Sequence, residues 1–264
     1  MRNQIVLILF LACSLQQDAF SQSREFLNNK VMYTKYTIAD FFNDSTKWAW
    51  EIDVVYRRQS ELGQYDLWKH PLRFSMRLWI AYQATKYTRI HFNPIAMVMS
   101  APRFPQENDF GRSFERELRS TLQINNYVYF GRHNFTHRLR FESRWRGIDL
   151  PDGAVHNFRF RYRLRLRTPL NSDYFYKNNT IYLSTYSEVH IEFGKNYGTN
   201  YFSQSRNYVG LGYRFWDWTR IEIGYIHQYN MRTNNRQIDI SNGPFFYLFC
   251  DILSRNKRQY KFSF

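Results

Sequence analysis

Cysteine is nearly absent: the 264 residues contain only Cys13 and Cys250. With Cys13 in the leading segment, Cys250 stands alone, so no internal disulfide framework is expected, and Cys250 reads as a small apolar strand residue. Long apolar runs are also missing. No stretch reaches the ~18 consecutive apolar residues that a membrane helix needs, which excludes a helical anchor. There is no Cys-x-x-Cys, and the seven histidines are not read as a zinc signature. Acidic residues are scarce as well, with 22 Asp and Glu against 37 Lys and Arg. The resulting net charge of +15 narrows the candidate partners to nucleic acid, anionic lipid or an anionic solute. No linker, low-complexity tract or domain boundary interrupts the chain.

The start indicates export. Arg2 supplies a positive charge, Ile5 to Ala12 form a short apolar stretch, and Ala19-Phe20-Ser21 is a small-x-small cleavage site. Residues 1–21 are therefore read as a cleaved signal peptide and 22–264 as one mature domain. Phe10-Leu11-Ala12-Cys13 is a poor match to a lipoprotein cleavage motif.

Aromatics are abundant at 20%, with 21 Tyr and 24 Phe, yet mean hydropathy is −0.61. Alternation reconciles the two. In residues 155–168, Arg159, Arg161, Arg163, Arg165 and Arg167 share one face, and Phe158, Phe160, Tyr162, Leu164 and Leu166 share the other. A period of two is the strand period; a helix would scatter the arginines around its axis. The pattern recurs along the chain. Trp48, Trp50, Ile52, Val54 and Tyr56 oppose Glu51, Asp53 and Arg57. Leu72, Phe74, Met76, Leu78 and Ile80 oppose Arg73, Ser75 and Arg77, and Ile90, Phe92, Ala96 and Val98 oppose Arg89, His91 and Asn93, with Pro94 marking a bulge or bend. Segments 115–130, 133–146, 179–193, 204–215 and 218–230 continue it.

Such segments exceed the ~5–6 residues usual in soluble strands and suit tilted membrane-crossing ones. Thr85-Lys86, Gly131-Arg132 and Trp216-Asp217 make tight turns, whereas 59–70, 100–114, 147–154, 194–203 and 231–243 are long and polar. Short turns at one end and long loops at the other fit an all-β, up-and-down antiparallel transmembrane barrel of 10–12 strands. Segments 31–39 and 254–264 are the two whose inclusion decides the count. The ending Tyr260-Lys261-Phe262-Ser263-Phe264 looks like the C-terminal signal read by the outer-membrane barrel assembly machinery.

Several segments resemble a family of uncharacterised barrels from Bacteroidota, grouped under a domain of unknown function. They are His137 through Trp145, Arg159 through Leu170, Arg206 through Tyr213, and Gly224-Tyr225-Ile226-His227-Gln228. The resemblance spans roughly residues 30–253. It implies a barrel in the outer membrane of a Gram-negative bacterium and supplies no catalytic residues.

Chemistry is expected on the polar faces. Arg138, Arg140, Arg144, Arg159, Arg161, Arg163, Arg165 and Arg167 fall on two adjacent strands, with Glu142 among them and Glu188, His190 and Glu192 on the next. One reading is a lumen packed with arginine–carboxylate pairs, whose bidentate geometry would fix register. The other is an anion-attracting lumen passing small anionic solutes, as rings of arginine do in anion pores. A third is a barrel enzyme modifying lipid or lipopolysaccharide. Ser184, Glu188 and His190 share a face, but Ser184 and His190 are six residues apart, roughly 20 Å along a strand, so no catalytic set is assigned. Glu188, His190 and Glu192 point the same way, but two-residue spacings of about 6–7 Å are too wide for one ion, so no metal or cofactor is expected. Nucleic acid is disfavoured because aromatics and arginines occupy opposite faces, whereas a nucleic-acid-binding sheet needs both on one. His137 falls on the apolar face. Trp48, Trp50, Tyr127, Tyr129, Trp145, Phe215 and Trp218 are expected in interfacial girdles against membrane lipid and lipopolysaccharide. A soluble periplasmic β-sandwich is the remaining alternative.

Overall fold

The computed structural model describes residues 25–42, 46–61, 63–102, 114–149, 153–194, 201–216, 218–232 and 237–251. The signal segment, Cys13 and the terminal Tyr260-Phe262-Phe264 pattern lie outside the described residues. Every regular element among the described residues is a strand: β1 Glu25–Phe41, β2 Trp48–Gln59, β3 His70–Gln83, β4 Thr88–Ser100, β5 Glu115–Phe130, β6 His133–Arg146, β7 Val155–Pro169, β8 Thr180–Gly194, β9 Phe202–Trp216, β10 Thr219–Met231 and β11 Gln237–Asp251. Neighbours in sequence pair antiparallel, and the sheet closes on itself. The expectation of an all-antiparallel barrel needs one correction. The closing pair is parallel, with Glu25 opposite Gln237 and Ala39 opposite Asp251. An odd strand number brings the first and last strands into the seam in the same direction, and 31–39 is the segment that makes the count eleven.

The barrel is built inside-out. Phe74, Met76, Leu78 and Ile80 of β3, Leu122 and Ile124 of β5, Leu139 and Phe141 of β6, and Val209 and Leu211 of β9 all point outward and are exposed. Their polar neighbours point inward and are buried, among them Arg77, Gln123, Arg140, Arg144, Arg206 and Arg214. Strand parity alone produces this sorting, and a one-residue slip would exchange the two faces.

Two bulges reverse the parity that alternation predicts. On β4, register jumps between Asn93 and Ala96 against β5, with Pro94 and Ile95 both exposed. Beyond the bulge, Ala96 and Val98 face inward at 0% exposure and Met97 faces outward, contrary to the expected phase. On β3, Arg73 pairs with Arg57 and Pro71 with Arg58, which leaves Leu72 as an extra residue turned into the lumen. The missing amide of Pro94 explains why the ladder breaks there.

The ends differ. Turn 131–132 is a two-residue hairpin whose Gly131 takes a φ of 55°, the positive value a primed turn requires. The connection 170–179 shares that end but folds back into the barrel mouth. Asn171 holds both of its ends, accepting from Ile181 N at 2.8 Å and donating to Asn179 O at 2.9 Å. Phe175 is thereby buried at 3% exposure, edge-on to Tyr182, and Tyr176 meets Tyr129 hydroxyl to hydroxyl at 2.8 Å. Tyr129 therefore points into this plug, with Tyr127 on the same inward-facing alternation, rather than into a lipid girdle.

Candidate functional site

The lumen has a charged half and an aromatic half. On the charged half, β5 to β8 place Glu117, Glu142, Glu188 and Glu192 among the arginines. Glu142 is the hub: Arg161 lies 2.9 Å away, Arg119 3.3 Å, Arg159 3.4 Å and Arg140 3.7 Å. Glu117 accepts from Arg119 and from Arg144, each at 2.7 Å. Arg144 reaches Glu192 at 3.0 Å, and Glu192 also pairs with Arg159. Glu188 binds Arg138, Arg161 at 2.9 Å and, more distantly, Arg206 at 3.9 Å. Farther along the barrel, Glu222 of β10 holds Arg165 at 3.1 Å and Arg167 at 3.5 Å, and accepts from the Tyr182 hydroxyl at 3.1 Å.

Register explains the lattice. Arg140 sits directly opposite Arg161, and Arg138 opposite Arg163, which would be repulsive if the side chains met face to face. They lean diagonally instead. Arg161 bridges Glu142 on one neighbouring strand and Glu188 on the other, while Arg140 donates from Nε to Gln123 at 2.8 Å. Each such charge-assisted bond contributes about 1.5–3 kcal/mol, offset by the desolvation of both partners. Among the described residues Arg163 has no ion pair; its guanidinium lies 5.2 Å from the Tyr186 ring.

The aromatic half is formed by β1, β3 and β8 to β11, where Tyr33, Tyr186, Tyr208, Phe245 and Tyr247 cluster with Val31, Leu72 and Ile226. Guanidinium groups lie over these and neighbouring rings: Arg57 over Tyr33 at 4.3 Å, Arg165 over Tyr186 at 5.2 Å and Arg140 over Trp79 at 5.1 Å. This stacking replaces part of the lost hydration. Glycines make room for the rings. A Cβ on Gly212 would lie 2.1 Å from the Tyr182 ring, so that ring rests directly on the β9 backbone.

The remaining sequence candidates separate. Ser184 and His190 are fully buried in the lumen wall; the Ser184 hydroxyl has no hydrogen-bond partner among the described residues, and His190 Nε2 is 3.6 Å from Glu188. His137 faces outward and contacts the Tyr162 hydroxyl at 2.8 Å. Among the described residues, no group of three or more His, Cys, Asp or Glu could hold a metal ion. At the long-loop end, hydrogen bonds from Lys69 and His70 hold the Glu61 carboxyl below the usual carboxylate range.

Several lumen residues escape a reading by eye. Glu117 and Arg119 lie on β5, whose period of two emerges only when counted from Glu117 through Thr121, Gln123 and Asn125. The Phe175 plug was signalled only by the run Tyr174-Phe175-Tyr176 inside an otherwise polar connection. One outward pair also went unseen: Ser143 Oγ lies 2.8 Å from His156 Nε2. Trp145 stacks on that imidazole, and Phe158 packs against it edge-on.

No curated protein and no solved structure matches the chain. A family model does match, over residues 31–239, which begins within β1 and ends within β11 and so takes in nearly the whole barrel. The chain therefore belongs to the family described as "Protein of unknown function (DUF2490)".

Proposed function

We propose that the protein is an integral outer-membrane barrel whose lumen is held shut by its own arginine–glutamate network, a structural envelope protein rather than an open channel for anions. One observation carries this reading: large apolar side chains are exposed around the cylinder while arginine and glutamate are buried inside it. A soluble protein would not leave Phe74, Met76, Leu78 and Ile80 in a row against water, whereas lipid covers such a belt at no cost. Strands of 12 to 17 residues exceed the ~9–11 needed to cross a bilayer. The export segment and terminal aromatic pattern read from the sequence support the same location. Closure rests on packing: Arg119 and Arg144 in the lumen are only 2% exposed, and Phe175 covers one mouth.

The test is reconstitution. The folded protein should require detergent, migrate differently on gels before and after heating, and give no steady conductance in a planar bilayer. Solubility without detergent would end the membrane reading. Steady anion-selective openings would instead reinstate passage of small anions.

The outward Ser143–His156 pair favours a second reading, a lipid-modifying barrel. The inward Ser184 and His190 are sealed from lipid, but Ser143 and His156 lie on the outer face beside Trp145, an interfacial type of residue. In that reading Ser143 Oγ adds to an ester carbonyl carbon as its proton passes to His156 Nε2. The proton then leaves with the departing glycerol oxygen, and water releases the acyl group by the same route. Folded protein in phospholipid vesicles should release fatty acid, and Ser143→Ala should stop it. No release by the parent protein removes this reading.

A further inference from the structure

At the long-loop end of the lumen is a small cavity of about 20 Å³, room for one water-sized particle. We infer that it is a binding site for a single monatomic anion of chloride size, held by Arg57 and Arg73. The inference goes beyond the closed-barrel reading. It stands on the lumen wall, wherever the barrel resides.

Four facts carry it. Two guanidinium groups line the cavity, and among the described residues no carboxylate does. Arg57 is 8% exposed and its Nε has no hydrogen-bond partner among the described residues, so a charged donor is buried without a described acceptor. No described carboxylate forms an ion pair with Arg57; its guanidinium lies over the Tyr33 ring and feels the like charges of Arg77, Arg161 and Arg206. The remaining described wall is uncharged: Asn29, Gln59, Ser100, Gln228 and Ser241 are polar, and Leu72 and Ala101 are apolar.

A buried guanidinium among like charges needs a counterion, because leaving it uncompensated is costly. Water could satisfy the Nε proton but would leave the charge. A cation is repelled. Arg73 is oriented by donating from Nε to the Ser100 hydroxyl at 2.8 Å. The Asn29 amide nitrogen donates to Gln59 Oε1 at 3.4 Å. The Ser241 hydroxyl adds another donor.

The test follows the thermal midpoint of full-length folded protein in detergent, at constant ionic strength, as sodium chloride replaces sodium gluconate. The midpoint should rise by roughly 3–5 °C for each tenfold of chloride above its dissociation constant. Bromide should substitute for chloride, and Arg57→Gln should abolish the rise. Should Arg57→Gln not fold, crystals grown in bromide decide: an anomalous peak between Arg57 and Arg73 supports the site, and its absence overturns it. Equal midpoints in chloride and gluconate overturn it too, as does stronger stabilisation by phosphate. None of these failures would alter the gel shift or the detergent requirement, so the site can fall while the membrane reading stands.

Discussion

Glu142→Gln is expected to cost the folded barrel about 3–5 kcal/mol, the range for breaking a buried ion pair by removing one partner. Glu142 is fully buried and faces Arg119, Arg140, Arg159 and Arg161. Three of those arginines keep a second carboxylate: Glu117 for Arg119, Glu192 for Arg159 and Glu188 for Arg161. Arg140 does not, since its other side-chain acceptor is the neutral Gln123. The loss should therefore centre on Arg140. Removing that charge as well, in Glu142→Gln with Arg140→Met, should restore part of the stability, a non-additivity that a double-mutant cycle measures. Urea midpoints of the refolded protein in detergent provide the readout. A Glu142→Gln midpoint equal to the parent's would show that the hub contributes nothing net.

Gly243→Val should damage the closure of the barrel itself. Gly243 lies on β11 where the parallel seam meets β1, and a Cβ there would sit 2.0 Å from the carbonyl oxygen of Val31. That obstacle is backbone, so it cannot turn aside as a side chain would. The φ of 156° adds to the difficulty for a β-branched residue. Overpacking of this kind costs about 1–3 kcal/mol or more, and backbone strain a similar amount. The expected result is a lower yield of the gel-shifted folded form and protease cleavage within β1, the strand whose seam is lost. Gly153→Ala is the control: nothing lies within 4 Å of its Cβ position, so only the positive φ of 79° is penalised. Gly243→Val behaving like Gly153→Ala would mean that the seam tolerates a wider spacing.

Legibility in the sequence followed how local the information was. On β6 to β10 one period of two runs unbroken, and inward and outward faces could be assigned residue by residue, from Arg138 and Leu139 to Glu222 and Ile223. On β4 the assignment failed beyond a bulge, because one inserted residue reverses every later side chain and leaves the composition unchanged, and on β3 it failed at the bulged Leu72 alone, while Phe74 to Ile80 kept the expected phase. Ala96 and Val98 are the cost of that reversal. Tyr127 and Tyr129 were misplaced for a related reason: an aromatic near a strand end looks the same whether it faces lipid or a plug. Only the inward fold of 170–179 distinguishes the two.

By itself, then, the sequence determined what depends on alternation: strands throughout, with one charged face and one greasy face. It also placed the charged ladder of β6 to β8 in one neighbourhood, because hairpin-linked strands must lie side by side. The tertiary structure decided what depends on distant parts of the chain meeting. Closure through a parallel β1–β11 pair joins residues separated by the whole barrel, and no local pattern encodes it. The choice of partner for each arginine follows from stagger between strands, which sets whether an opposite or a diagonal carboxylate is within reach. The Arg57 cavity needs side chains from β1, β2, β3, β4, β10 and β11 to converge, and only a closed wall brings them together.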